Sequence, residues 1–128
     1  MVIIDTSIWI EAYKKRSSEA AVEVARLVGN DQAAIVGISL TEVLRGARDK
    51  QEFEEMTLEL LAADYLPDDL ENWILASEIL IDLQRQGQVI PLPDALIAAQ
   101  AIRGPHTVYS SDEHFRRVPG LVIHEPGK

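Results

Sequence analysis

The chain opens on an unbroken apolar run, Met1-Val2-Ile3-Ile4, which stops at Asp5-Thr6-Ser7 before a second apolar pattern begins at Ile8-Trp9-Ile10. A β-branched run too short for a helix and without polar alternation predicts a strand buried on both faces. Ser17 to Val28 follows with helical spacing: Ala21, Val24, Ala25 and Val28 share one face, while Glu19, Glu23 and Arg26 fall largely off it. Gly29-Asn30-Asp31 supplies the stop. Ala33 to Val36 reads as a second strand. Ser39-Leu40-Thr41-Glu42 matches the capping-box pattern of a new helix. A further helix is predicted from Asp49, with Phe53, Met56, Leu60 and Leu61 as its apolar stripe. Asp64-Tyr65-Leu66 reads as a brief strand. Asp68-Asp69-Leu70-Glu71 then opens a long helix with Leu70, Trp73, Ile74, Ser77, Leu80 and Ile81 on its face, and Gly87 ends it.

Pro91-Leu92-Pro93-Asp94 begins another helix, since proline is tolerated in the first turn. The alanines that follow, as far as Ala101, permit close approach to the sheet or to a neighbouring helix, and Gly104-Pro105 ends the segment. Thr107 to Ser110 reads as a strand, Ser111 to Phe115 as a helical turn, and Leu121 to Ile123 as a last strand. Strands alternating with helices predict a three-layer α/β/α, Rossmann-like domain with a central, mostly parallel sheet. No linker or repeat divides it, so residues 1–128 are expected to form one domain.

In that architecture ligands sit beyond the carboxyl ends of the strands. Asp5 and Asp112 each follow a strand directly. Glu42 lies one turn into a helix that follows a strand, and Asp94 lies in the first turn of a helix, where the helix dipole favours its ionised form. Each acid can be explained singly as a cap, and for Asp5 alone capping is the better reading. Four acids bordering one crevice point instead to a shared task. Carboxylates crowded together repel, and a bound divalent cation relieves them. An all-oxygen set suits Mg²⁺ or Mn²⁺, ions that favour phosphate oxygens, so the substrate class is a phosphodiester or nucleotide and the reaction a metal-assisted hydrolysis.

The bulk numbers sharpen this. The 128 residues carry a formal charge of −9, which excludes a simple phosphate-gripping surface but not an enzyme whose acids gather cations. The absence of cysteine rules out disulfides and thiolate metal sites and fits a reducing, cytoplasmic setting. No apolar run reaches membrane-spanning length, and no basic leader precedes the first strand, so no membrane association is expected.

Four motifs, Val-Ile-Ile-Asp5-Thr6-Ser7, Ser39-Leu-Thr-Glu42-Val-Leu-Arg-Gly46, Pro93-Asp94-Ala-Leu-Ile-Ala-Ala and Tyr109-Ser110-Ser111-Asp112-Glu-His114-Phe115, resemble in this order a PIN-domain ribonuclease. The length resembles the VapC-type toxins of toxin–antitoxin pairs. The resemblance implies RNA cleavage with Mg²⁺ or Mn²⁺. It implies metal-binding catalytic acids at Asp5, Glu42, Asp94 and Asp112, with Thr6, Ser7 and Ser110 in support. It also implies a homodimer and a small antitoxin whose C-terminal segment blocks the site. The chain's acidity suits a partner that carries basic residues. One departure stands out: many relatives have a further acid two positions after the fourth, where this chain has His114, and that argues against a full second metal site.

Plainer readings accompany the rest. The Phe53 stripe reads as core, with a partner surface as the alternative. Arg45 and Arg48 suit RNA phosphates or simply a solvated face, as do Arg103, Arg116 and Arg117. The histidines at 106, 114 and 124 lack ligand spacing and read as loop or surface residues, and Trp9 and Trp73 read as core. Rival functions are a catalytically weak PIN-like module that binds RNA or protein, and an aspartate-based phosphatase. The phosphatase would want a second Asp where Ser7 stands.

Overall fold

Ile3 and Ile4 are wholly buried, and they belong to two different hydrophobic clusters, one on each side of a sheet. The computed structural model describes residues 1–127. The opening apolar run forms β1 (Val2–Ile4) and lies inside a four-stranded sheet with β2 (Ala33–Val36), β3 (Asp64–Leu66) and β4 (Thr107–Tyr109), in the order β3-β2-β1-β4. Every pairing is parallel, with Val2 opposite Ala33 on one side and Thr107 on the other. The alternation of strand side chains sorts the core. Val2, Ile4, Ala33 and Ile35 pack beneath α1 (Thr6–Lys14), α2 (Glu19–Gly29) and α4 (Lys50–Leu60). Ile3, Ala34, Val36 and Val108 pack beneath α5 (Leu70–Arg85) and α6 (Leu92–Arg103). The short α3 (Gly37–Leu44) starts directly from the end of β2. The three-layer α/β/α architecture read from the sequence is therefore present.

Alanine makes α6 the central helix of its layer. Ala95, Ala98, Ala99 and Ala101 are fully buried, so its backbone approaches both the sheet and α5 closely. No helix among the described residues is long and apolar enough to cross a membrane.

Several local expectations give way. The Ser39–Glu42 capping box does not form: α3 begins two residues earlier, at Gly37, and Ser39 sits inside it with a fully buried hydroxyl that has no hydrogen-bond partner among the described residues. The expected last strand, Leu121 to Ile123, shrinks to a single bridge between Val108 and Ile123. Gly120, at φ +81°, turns the chain just ahead of it, and His124 leaves at once toward α2. Met56 and Leu60 of the α4 stripe are core, whereas Phe53 and Leu61 are exposed. On α5 most of the expected face is the outer one: Leu70, Trp73, Ile74, Ser77 and Ile81 are exposed, Leu80 is half-buried against the core, and Asn72, Ala76, Ile79 and Leu83 face inward. At 3.6 residues per turn the two stripes lie roughly opposite each other. Trp9 is core as expected, and Trp73 is not.

On α2, Ala25 is exposed and Glu23 is buried. Glu23 is held by Arg26 in a bidentate pair at 2.7 and 2.8 Å, by His124 Nε2 at 2.6 Å and by the Gly127 N–H at 3.0 Å. Those donors, Arg26 foremost, bring its carboxyl down to about 2. His124, read as a loop or surface residue, lies in a loop but is half-buried, and its side chain clamps the C-terminal segment to α2.

Candidate active site

In an open parallel sheet the crevice forms where the chain leaves neighbouring strands in opposite directions. Here that place lies between β1 and β4: the chain runs from β1 to β2 on one side and arrives at β4 on the other. Asp5 follows β1, and its backbone N–H donates to Tyr109 O at the end of β4. Its carboxylate does not cap α1. Instead Oδ2 accepts from Ser7 Oγ at 2.9 Å and from Ser110 Oγ at 2.8 Å. Two hydroxyls, one from the first turn of α1 and one just past β4, thus fix the orientation of a buried carboxylate and leave Oδ1 without a hydrogen bond among the described residues. Ser110 also accepts from the Asp112 N–H at 2.9 Å, which ties the fourth acid to the first.

Asp112 caps the 3₁₀ turn Glu113–Arg117 through the His114 N–H. The turn swings the His114 ring inward, so that Nδ1 stands 2.8 Å from Asp112 Oδ1 and 2.8 Å from Asp94 Oδ2. Asp94, on the first turn of α6, is buried. Burial pushes its carboxyl up, to about 6; the Asp5 and Asp112 charges act in the same direction, and the His114 hydrogen bond opposes them. The expectation that the helix dipole keeps Asp94 readily ionised is overturned, because desolvation outweighs the dipole at this depth.

Asp94, Asp112 and His114 form the tightest group, with one ligand atom from each lying within 4.8 Å of the others. Asp5 adjoins it through Ser110 and through its electrostatic action on Asp94. Glu42 stands further out and accepts from Thr6 Oγ1 at 2.9 Å. Glu42 also lines a groove of about 550 Å³ between α1, α3 and α4, with Ile10, Val43 and Met56 as apolar walls and Lys14, Arg16 and Arg48 around them. Arg16 and Arg48 are paired with Glu59 and Glu52, while Lys14 and Arg45 have no partner among the described residues. Reading the sequence missed the inward role of His114. Its position two residues beyond an acid that caps a tight turn was the available signal.

The donor set fits a divalent cation. Several carboxylates crowd one crevice, and burial disfavours the charge on one of them, a penalty that a bound cation removes.

Comparison with known proteins agrees. The PIN domain family model matches residues 2–121. A VapC ribonuclease of Mycobacterium bovis and the ribonuclease VapC11 of Mycobacterium tuberculosis are each 36% identical over 122 residues, spanning 90% of this chain and 89% of theirs. Among solved structures, VapBC2 from Rickettsia felis, bound to a fragment of its promoter DNA, superposes with a TM-score of 0.83 at 23% identity, covering 97% of this chain and 98% of that one. VapBC-1 from nontypeable Haemophilus influenzae superposes at 0.81 with 22% identity, covering 98% of each chain. At those identities the structures speak to the fold, and the ribonuclease relatives and the family model speak to descent: this chain belongs to the PIN-domain family.

Proposed function

We propose that the protein is a metal-dependent endoribonuclease that hydrolyses RNA phosphodiesters and serves as the toxin of a toxin–antitoxin pair. The observation that carries the reading is the crevice in which Asp94, Asp112 and His114 bring ligand atoms within 4.8 Å of one another, with the Asp5 carboxylate beside them. The names of the curated relatives, both ribonucleases, support the substrate class.

Asp94 and Asp112 would hold the ion, with Asp5 and Glu42 as the flanking acids. When bound, a divalent ion neutralises the scissile phosphate and lowers the pKa of the attacking water. Water adds to phosphorus, the bond to the leaving sugar oxygen breaks, and the proton that water loses is balanced by the one the leaving oxygen takes up. Ser7 and Ser110 hold Asp5 in one orientation, and Thr6 does the same for Glu42. Lys14 and Arg45, which have no partner among the described residues, would meet RNA phosphates.

The groove that begins at Glu42 would seat the antitoxin segment on Ile10, Val43 and Met56. The outward stripe Leu70, Trp73, Ile74 and Ile81 on α5 is the surface we assign to a homodimer, since large apolar side chains in one exposed row mark interfaces. The chain would act as one catalytic domain, with Mg²⁺ or Mn²⁺ as cofactor, in the cytoplasm. Incubation of the purified chain with a mixed-sequence RNA tests the activity. Cleavage should appear with added Mg²⁺ or Mn²⁺, stop with EDTA and be lost in Asp94→Asn. Cleavage that persists through EDTA and through Asp94→Asn defeats the reading.

A further inference from the structure

His114 is the one non-acid in the tightest cluster, and its placement is specific. Its backbone N–H donates to Asp112 Oδ1 at 3.0 Å, which fixes the turn. Its ring Nδ1 then lies 2.8 Å from an oxygen of each of two carboxylates. Adjacent ligand atoms around a six-coordinate ion, each at about 2.1 Å from it, are about 3 Å apart. The two separations from His114 Nδ1 are within a few tenths of an ångström of that edge, and the ligand atoms of all three residues lie within 4.8 Å of one another, so the group is compact enough to close on a cation. Ligation through Nδ1 puts the ring proton on Nε2. The His114 and Asp112 side chains are about a third exposed, at 32% and 36%, so one side of the cluster remains open to water and substrate.

An imidazole among carboxylates changes which ion the cluster prefers. Mg²⁺ takes oxygen and is reluctant to shed water, whereas imidazole nitrogen favours first-row transition ions. The protein has no cysteine to carry that preference on to a closed thiolate site. We propose that His114 supplies a nitrogen ligand to the metal held by Asp94 and Asp112, so that the site selects a first-row transition ion over Mg²⁺. This rests on the metal-nuclease reading above. The competing role for the same geometry is a ring that hydrogen-bonds the two carboxylates and makes no metal–nitrogen contact.

Mn²⁺ is the probe. Pulsed electron paramagnetic resonance of the Mn²⁺-loaded protein should show modulation from a directly bonded nitrogen. Labelling the histidines with ¹⁵N should change it, and His114→Asn should abolish it. His106 and His124, the other two histidines, stay in place in that variant as internal controls. Calorimetric titration gives the second readout. His114→Asp restores an all-oxygen set, so the preference for Mn²⁺ over Mg²⁺ should fall at least about tenfold, the scale on which changes around a metal ligand alter affinity. Circular dichroism and metal-free melting report whether each variant is folded, and the wild-type spectrum alone decides the nitrogen contact if a variant is not. A spectrum indifferent to ¹⁵N-histidine, or an unchanged ion preference in folded His114→Asp, overturns the proposal while the nuclease reading stands. Failure of the wild type to bind either ion at millimolar concentration overturns both.

Discussion

Asp94→Asn should stabilise the metal-free protein while abolishing its response to metal. The carboxyl moves from 3.8 to about 6 on folding, driven chiefly by burial. A carboxyl with a raised folded pKa favours the folded state when protonated. Its contribution is complete below 3.8 and is lost as the pH climbs through about 6. At pH 7.5 the ionised group therefore costs roughly 3 kcal/mol, at about 1.4 kcal/mol per pKa unit. Asparagine has the same shape, does not titrate, and keeps an oxygen facing His114. It forfeits the charge in that 2.8 Å hydrogen bond, a loss of about 1 kcal/mol. The net gain is about 1 to 2 kcal/mol, or a rise of about 3 to 8 °C in Tm for a chain of this size. Thermal melts in EDTA at pH 7.5 and pH 5 measure it, and the gain should shrink at the lower pH, where the wild-type carboxyl is largely protonated. Adding Mn²⁺ should raise the wild-type Tm and leave that of Asp94→Asn nearly unchanged. A variant less stable than wild type at pH 7.5, or a difference indifferent to pH, would refute the reasoning.

Other perturbations separate structural from chemical roles. Glu23→Gln should cost about 2 to 3 kcal/mol at pH 7 by urea unfolding, because a buried carboxylate held at about 2 stabilises the fold above its ordinary 4.5 and loses that contribution as the pH falls through 2; the deficit should shrink as the pH is lowered toward 2. Ser39→Ala removes a buried hydroxyl with no partner and should leave stability unchanged or raise it by up to about 1 kcal/mol, whereas Ser18→Ala, which removes the α2 cap to the Ala21 N–H, should lower it by about 1 kcal/mol. Glu42→Gln should melt within about 0.5 kcal/mol of wild type, since Thr6 can donate to either side chain, yet cleave RNA about a hundredfold more slowly in a fluorescent-oligonucleotide assay; unimpaired cleavage would remove Glu42 from the site.

β1, β2 and the alanine-rich helix were legible because their burial follows from local composition: a short apolar run has nowhere else to go, and α6 carries alanines through its length. The face of α5 was not legible, because this helix carries apolar residues on both sides. Periodicity picks out the bulkier stripe, Leu70, Trp73, Ile74 and Ile81. The inward side is instead chosen by fit to α6, where Ala76, Ile79 and Leu83 allow close packing and the buried Asn72 accepts from Arg103. Large side chains excluded from a tight helix pair are left outside, which is why a surface of this kind escapes a hydrophobicity pattern. Glu23 was misplaced for a related reason. A charged residue reads as solvent-facing unless its partners are known, and two of the three that hold Glu23 lie a hundred residues further along the chain.

The site shows the same limit from the other side. From the sequence, Asp5, Glu42, Asp94 and Asp112 are each placed where a helix cap would also stand, and no local rule separates the two roles. Separation comes from which donors reach each carboxylate. Asp112 does cap its turn and still offers its carboxylate to His114. Asp5 caps nothing, because Ser7 and Ser110 hold its oxygen away from the α1 amides. Glu42 is held by Thr6 from another helix, and Ser39, inside α3 rather than at its start, has a buried hydroxyl without a partner among the described residues. The Asp5 contacts depend on β1 lying beside β4, a pairing of residues more than a hundred positions apart that brings Ser7 to the same edge as Ser110 and Asp112, while the Glu42–Thr6 contact depends on β1 lying beside β2. Asp5 and Glu42 enter the site where hydroxyls reach their carboxylates from neighbouring elements, and strand order decides which hydroxyls those are.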